Sequence, residues 1–407
     1  MIDIFIKSIS INSVRNLPSR KIDISSTEKK HLILTGKNGS GKTTLLSNIK
    51  QFLAGLSKYN YSIYKNFCTE VGKVEKKLET ITDDIRKHEL QSDISLPIRV
   101  VNEFGRTLSL EFNTEPFSNM FNSGDCIICY FNANRKTGFH IPEGISKIQE
   151  QHYEIDKKNN SAFIQFLVNL KASRSFANDD QDDEIVKQID LWFDNFISNL
   201  SYLFGATDIK LKFDRNNFTY KIIEPNKQPY GFEHLSSGYS AIFDIVSEIM
   251  MRMSLDSLIV YDKPGIVLID EIDTHLHIEL QKNILPFLTS FFPNIQFIVT
   301  THSPFVLTSV ENCVIYDLEK DTVTEDLSKY SYDAIVEGYF GSDKYSNTLK
   351  EMIGMYENLL FKDELSDDEK DTLKELEEEV NNLPKFLSPE LEVKIQNLKL
   401  RQKLNKQ

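Results

Sequence analysis

Gly36-Lys37-Asn38-Gly39-Ser40-Gly41-Lys42-Thr43 fits the pattern G-x-x-x-x-G-K-[ST] of a phosphate-binding P-loop. Its flanks agree. His31 to Thr35 (HLILT) has the apolar run of a short buried strand, and Thr44 to Leu53 (TLLSNIKQFL) carries apolar residues at helical spacing. The chemistry needs this context. Glycines let the backbone turn tightly, so that successive N–H groups converge on one anion, and the start of the following helix adds its partial positive charge. Asn38, Gly39, Ser40, Gly41 and Lys42, with Thr43 and Thr44 at the helix start, are therefore the predicted nucleotide-binding residues. Lys42 is expected to reach the β- and γ-phosphates, and the Thr43 hydroxyl to ligate Mg2+.

Three further segments extend this reading. Gly265 to Glu271 (GIVLIDE) is a buried parallel strand with two carboxylates at its C-terminal end, the end at which open α/β sheets bind ligands. Asp270 is expected to hold the Mg2+ shell and Glu271 to polarise the attacking water as general base. Gln296 to Pro304 (QFIVTTHSP) is a second buried strand, about thirty residues on, the spacing of one strand–helix–strand unit. That spacing brings His302 near the γ-phosphate. Leu235 to Ser240 (LSSGYS) precedes a strongly apolar helix over 241–253, and Ser-Ser-Gly at a helix start is another anion-binding device.

In this order the four segments resemble the ABC-type ATPases, which have counterparts to the P-loop, the LSSGY signature, the IDE strand end and the switch histidine. The resemblance implies an α/β fold, a mixed sheet with flanking helices forming an ATPase head. It also implies ATP and Mg2+ as ligands. In that family two heads sandwich the nucleotide, so Ser236 and Gly238 are expected to act in trans on the P-loop of a second copy. Ser237 and Tyr239 depart from the usual LSGGQ. The opening strand and Arg-containing turn over 6–17, the run Asp270 to His277 (DEIDTHLH) and Thr300 to Pro304 look like the OLD/RecF-like branch. This likeness adds Arg15 to the nucleotide-binding set. Tyr130 to Arg135 (YFNANR) resembles that branch's Q-loop, with Asn132 and Arg135 expected to face nucleotide or signature.

The chain divides into an ATPase core over 1–50, a helical and strand insertion over 51–124, a core strand with the Q-loop-like segment over 125–144, a helical and strand lobe over 145–227, the rest of the core over 228–320, and a helical C-terminal region over 321–407. Leu96 to Asn113 alternates like a strand pair turning near Gly105, and Thr207 to Glu224 like another. In the tail, Ser366-Asp367-Asp368-Glu369 is a capping box. Leu373, Leu376, Val380 and Leu383 share one face of the helix that follows. Ser388-Pro389 starts a further helix lined by Leu391, Ile395, Leu398 and Leu404. Such a hairpin needs a surface to cover, either its own core or a partner.

Composition narrows the classes. A net charge of −13 argues against nucleic-acid binding through a general basic field, and the basic clusters at 73–77 and 394–406 read as solvated helix faces. No apolar window is long enough to span a membrane and no signal peptide is apparent, so a cytoplasmic protein is expected. The four cysteines are not a disulfide framework, and Cys126 and Cys129, three apart in a strand, point to opposite faces. His275 and His277 are expected at the dimer seam. The strand-end acids of a Toprim nuclease, an HNH constellation and a zinc site are not visible. This pattern resembles the ATPase subunits of bacterial anti-phage systems, above all the Septu (PtuA) family, also associated with retrons. The resemblance implies a regulatory ATPase that controls a separately encoded HNH nuclease of the PtuB kind, with DNA contacted through the complex. A PARIS-type ATPase with a Toprim effector and a RecF-like repair ATPase are the alternatives.

Overall fold

The computed structural model describes residues 4–12, 18–81, 83–135, 138–148, 154–253, 263–341, 345–362, 364–382 and 389–405. The chain forms two compact units, 1–330 and 331–407.

Among the described residues of the first unit, the central element is a six-stranded sheet in the order β12-β11-β3-β10-β9-β5. Its strands are β3 (His31–Thr35), β5 (Ile127–Phe131), β9 (Gly265–Ile269), β10 (Ile295–Thr300), β11 (Cys313–Asp317) and β12 (Thr322–Glu325). All pair in parallel except β12, which pairs antiparallel with β11. The sheet is therefore mixed, with β3, β9 and β10 buried along their whole length, as apolar runs covered on both faces require. Register brings the strand ends level: Ile269 lies opposite both Phe131 and Val299, and Leu34 opposite Thr300. The loops after β3, β5, β9 and β10 consequently leave from one edge.

A second sheet, β2-β1-β4, is antiparallel, formed by β1 (Ser8–Ile11), β2 (Arg20–Asp23) and β4 (Leu108–Glu111). Gln296, buried in β10, joins the two sheets. Its Oε1 accepts from the Ile6 N–H at 2.7 Å, and its Nε2 donates to the carbonyls of Ile6 and Lys30. The first helix, α1 (Lys42–Lys58), packs Leu45, Leu46, Ile49, Phe52, Leu53 and Leu56 into the core shared by both sheets. Then come α2 (Tyr61–Leu78), α3 (Asp84–Asp93), α4 (Ser95–Phe104) and α5 (Thr114–Asn122).

Helix α4 corrects the strand pair expected over Leu96 to Asn113: only β4 is extended. Pro97, Val100, Val101 and Phe104 recur at helical spacing and are all buried. Phe104 stacks on Tyr64 of α2 with ring centroids 4.0 Å apart, and sits edge-on to Phe52 of α1. Packing against two helices decided a segment whose local alternation was ambiguous.

Helices α6 (Phe163–Asp179) and α7 (Asp183–Phe204) form a hairpin around Phe163, Phe166, Trp192 and Phe196. It is followed by an antiparallel sheet of β6 (Lys210–Asp214), β7 (Thr219–Ile223) and β8 (Tyr230–Gly231). Helix α8 (Ser237–Met253) carries a buried charged row, Asp244, Glu248 and Arg252, compensated group by group. Asp244 pairs with Lys158 and accepts from Asn160, and Glu248 accepts from the N–H groups of Asn159 and Asn160. Arg252 pairs with Glu248 at 2.7 Å and donates to the Ile128 carbonyl of β5. Helices α9 (Ile278–Phe291) and α10 (Pro304–Leu307) complete the unit.

The second unit holds a short turn α11 (Tyr332–Ala334), α12 (Asn347–Leu360), α13 (Asp367–Asn382) and α14 (Pro389–Asn405). The capping box forms in both directions: the Ser366 N–H donates to Glu369 Oε2, and the Glu369 N–H to Ser366 Oγ. Val380, Leu391, Ile395 and Leu398 are buried against Ile353, Tyr356 and Leu360 of α12, with Leu373 and Leu376 alongside. The apolar face of the α13–α14 hairpin is thus covered within its own unit. Leu383 and Ser388 lie outside the described residues, as does the side chain of Leu404. The compact unit begins at 331 rather than 321, because 322–325 is strand β12 of the main sheet.

Candidate nucleotide site

The loop from β3 to α1 is built on three glycines in left-handed or related conformations, Gly36 (φ 126°), Gly39 (φ 85°) and Gly41 (φ 99°), which L side chains rarely adopt. At Gly36 a Cβ would also stand 3.0 Å from Ser40 Oγ and 3.2 Å from Asp317 Oδ1. Asn38 and Gly39 are exposed at the tip. Ser40 Oγ is buried without a hydrogen-bond partner. The Lys42 ammonium, on a residue only 6% exposed, donates to the carbonyls of Gly36 (2.8 Å) and Lys37 (3.1 Å), closing the loop on itself. Burial holds its pKa below the ordinary lysine value, against the opposing pull of Glu271, Asp270 and Asp273. Thr43 is exposed and Thr44 partly buried in the first turn of α1.

The acids come from the end of β9. Asp270 Oδ1 accepts from two hydroxyls, Thr43 at 3.1 Å and Thr300 at 2.7 Å. The Thr300 hydroxyl also accepts from the Glu271 N–H at 2.7 Å. Glu271 is left-handed at φ 46°, a turn that directs the chain away from the sheet directly after Asp270. Its Oε2 accepts from Thr274 Oγ1 at 3.1 Å. Asp273 Oδ1 accepts from Thr301 Oγ1, tying the loops after β9 and β10 together, and Ser303 Oγ donates to Gln281 Oε1 of α9. His302 follows Thr301, with its Nε2 buried and without a partner. Desolvation, then the nearby Lys42 ammonium, depress the His302 pKa, while Asp273 and Glu271 oppose them. Lys42, Thr43, Asp270, Glu271 and His302 therefore converge at one edge of the sheet.

The donor set suits a nucleotide with its ion. Buried Ser40 Oγ and His302 Nε2 are two polar atoms that a phosphate could satisfy. Thr43 and Asp270 supply one hydroxyl and one carboxylate, the sparse protein contribution that Mg2+ takes when phosphates and water fill its other positions. Among the described residues no group of three or more His, Cys, Asp or Glu could hold a metal by itself.

The remaining predicted residues make no direct side-chain contact with these five groups, or lie outside the described residues. Ser236 is exposed just before α8. Gly238 is buried against the loop after β9, where a Cβ would stand 3.2 Å from the His275 carbonyl and 3.0 Å from Leu280 Cδ1. Tyr239 stacks on Phe204 at the end of α7, centroids 4.3 Å apart. Asn132 is exposed at the end of β5, beside Asp270, whose N–H donates to the Phe131 carbonyl. Arg15 falls outside the described residues. Arg135 corrects its expectation: it does not face outward to nucleotide but is 3% exposed, with its guanidinium on the backbone of 270–274. His275 and His277 are both exposed. Cys126 and Cys129 are free and buried, their thiols pushed up to about 12 by desolvation. The role of Thr300 was not visible in the sequence, since a threonine at a strand end is ordinary until register sets it between Asp270 and Glu271.

Residues 130–308 match the family described as "AAA domain, putative AbiEii toxin, Type IV TA system". The chain is 32% identical over 188 residues to the retron Ec83 probable ATPase of Escherichia coli, a match covering 42% of this chain and 32% of that protein. It therefore spans about a third of that relative's length. It is 26% identical over 336 residues to the Septu protein PtuA of Bacillus thuringiensis, covering 80% of this chain and 78% of that protein. A solved SMC head bound to the C-winged helix domain of ScpA aligns with a TM-score of 0.37 and 12% identity, covering 80% of this chain and 99% of that one. Among the described residues no helix is long and apolar enough to cross a membrane. The chain is thus similar over 130–308 to an AAA-domain family, and in sequence to the retron Ec83 probable ATPase and to Septu PtuA.

Proposed function

We propose that this chain binds and hydrolyses ATP with Mg2+, as the regulatory subunit of an anti-phage defence complex. The observation that carries the reading is the convergence of Lys42, Thr43, Asp270, Glu271 and His302 at one sheet edge, on the loop geometry that three positive-φ glycines require. In this reading the N–H groups of 38–44 cradle the phosphates, and Lys42 exchanges its loop carbonyls for phosphate oxygens. Thr43 and Asp270 would hold Mg2+, which would supply charge neutralisation to the phosphates. Glu271 accepts the proton of the attacking water, and neutral His302 senses or positions at the γ-phosphate. Ser236 and Gly238, away from these contacts, complete the site of a second copy in a closed homodimer, with Asn132 and Arg15 at its margin.

The names of the homologues support a place in a retron- or Septu-like defence system. Within it, the chain would restrain or release a separately encoded nuclease of the HNH type, and work in the cytoplasm. Two experiments test this. Lys42→Ala should abolish nucleotide binding and defence together. A mild pull-down of the tagged chain from its native operon should retain a small nuclease in stoichiometric amount. An HNH fold in that partner supports the Septu-like reading, a Toprim fold the PARIS-like one. Recovery of DNA alone would favour a RecF-like clamp.

A further inference from the structure

Arg135 makes the most concentrated set of contacts near the site that the proposed roles leave unused. Its Nη1 donates to the Asp270 carbonyl at 2.7 Å, and its Nη2 to the Glu271 carbonyl at 2.7 Å and the Ile272 carbonyl at 3.3 Å. A longer contact reaches the Thr274 carbonyl, and another the Asn132 carbonyl on its own loop. The partners are main-chain oxygens of one turn, the turn that carries Asp270 and Glu271. Glu271 (φ 46°) and His275 (φ 68°) are both left-handed, and inside the turn only the Thr274 N–H reaches one of these oxygens, the Glu271 carbonyl, at 2.9 Å, so Arg135 supplies most of the donors to them. A planar guanidinium, charged at any working pH, presents its donors as a rigid fork to oxygens that converge from one side. Its buried charge is balanced by Asp244, Asp273, Asp270 and Glu271 around it.

From this geometry we infer that Arg135 is a positioning residue for hydrolysis: it fixes the 270–274 turn, and through it the aim of the Glu271 carboxylate, without touching nucleotide. The inference rests on the ATPase reading above and deepens it. It also gives the segment after β5 a route to the acids, since a shift of 132–135 would move the turn.

Arg135→Lys and Arg135→Gln in the full chain test it, with kcat and KM for ATP, the dissociation constant of a fluorescent ATP analogue, and circular-dichroism melting. Lysine keeps the charge but, as a point donor, cannot hold the Asp270 and Glu271 carbonyls together. The expected result is a kcat at least tenfold lower in both variants, with analogue affinity within about threefold of wild type. A lysine variant with wild-type kcat would overturn the inference, as would a loss of affinity matching the loss of kcat. Failure of both variants to fold would make Arg135 a residue of the fold and overturn it too. Wild-type protein that binds the analogue but shows no turnover, or binds none, would instead remove the ATPase reading on which it rests.

Discussion

The Thr300 hydroxyl donates to Asp270 Oδ1 at 2.7 Å and accepts from the Glu271 N–H at 2.7 Å, so one buried side chain on β10 sets the geometry of both acids that follow β9. Thr300→Val keeps the shape and removes both links. It should cost about 1–3 kcal/mol of stability, because the Glu271 N–H loses its acceptor. The larger effect should be on turnover, with kcat falling about tenfold and nucleotide affinity changing less. Urea unfolding and steady-state hydrolysis would separate the two.

Tyr239, which stands where the LSGGQ pattern that 235–239 resembles has glutamine, stacks on Phe204. The start of α8 is thereby attached to the end of the α6–α7 hairpin. Tyr239→Gln should lose the stacking contribution of about 0.5–1.5 kcal/mol, read as a lower melting temperature. In the composite-site account the same change lowers hydrolysis while leaving analogue binding to the isolated subunit unchanged.

His31 gives a pH signature of the fold. It is buried in β3, its Nδ1 accepts from the Phe297 N–H at 3.0 Å, and desolvation pushes its pKa down from 6.5 to about 3. The folded imidazole therefore stays neutral while the unfolded one takes up a proton below pH 6.5. Its stability contribution is present above that value and is lost as the pH falls towards 3, at up to about 1.4 kcal/mol per pH unit. His31→Asn should flatten the pH dependence of the urea midpoint between pH 6 and 5 by about one proton.

Local chemistry explains what could be read without coordinates. Strand, glycine loop and helix over 31–58 follow from a contiguous pattern, and so do the buried strand ending in Asp270-Glu271 and the capping box at Ser366–Glu369. Where tertiary contacts decide, the reading stopped. Leu96, Ile98 and Val100 alternate like a strand, but Val100, Val101 and Phe104 had a helical groove on α1 and α2 to fill. The likeness of 130–135 to a Q-loop gave Arg135 an expected place facing nucleotide or signature. Only the left-handed turn at Glu271 shows where its donors are required. The tail hairpin announced an uncovered face, and its cover, α12, carries no sequence signal as plain as a capping box or a glycine loop.

In the proposed function Glu271 drives ATP hydrolysis at a site built from Lys42, Thr43 and Asp270. The most direct measurement is single-turnover and steady-state ATP hydrolysis by Glu271→Gln beside wild type, with sizing chromatography in Mg2+-ATP. The expected result is a loss of about 10²–10⁴-fold in kcat, with retained nucleotide binding and accumulation of an ATP-bound dimer. A Glu271→Gln protein that hydrolyses ATP at the wild-type rate would contradict it.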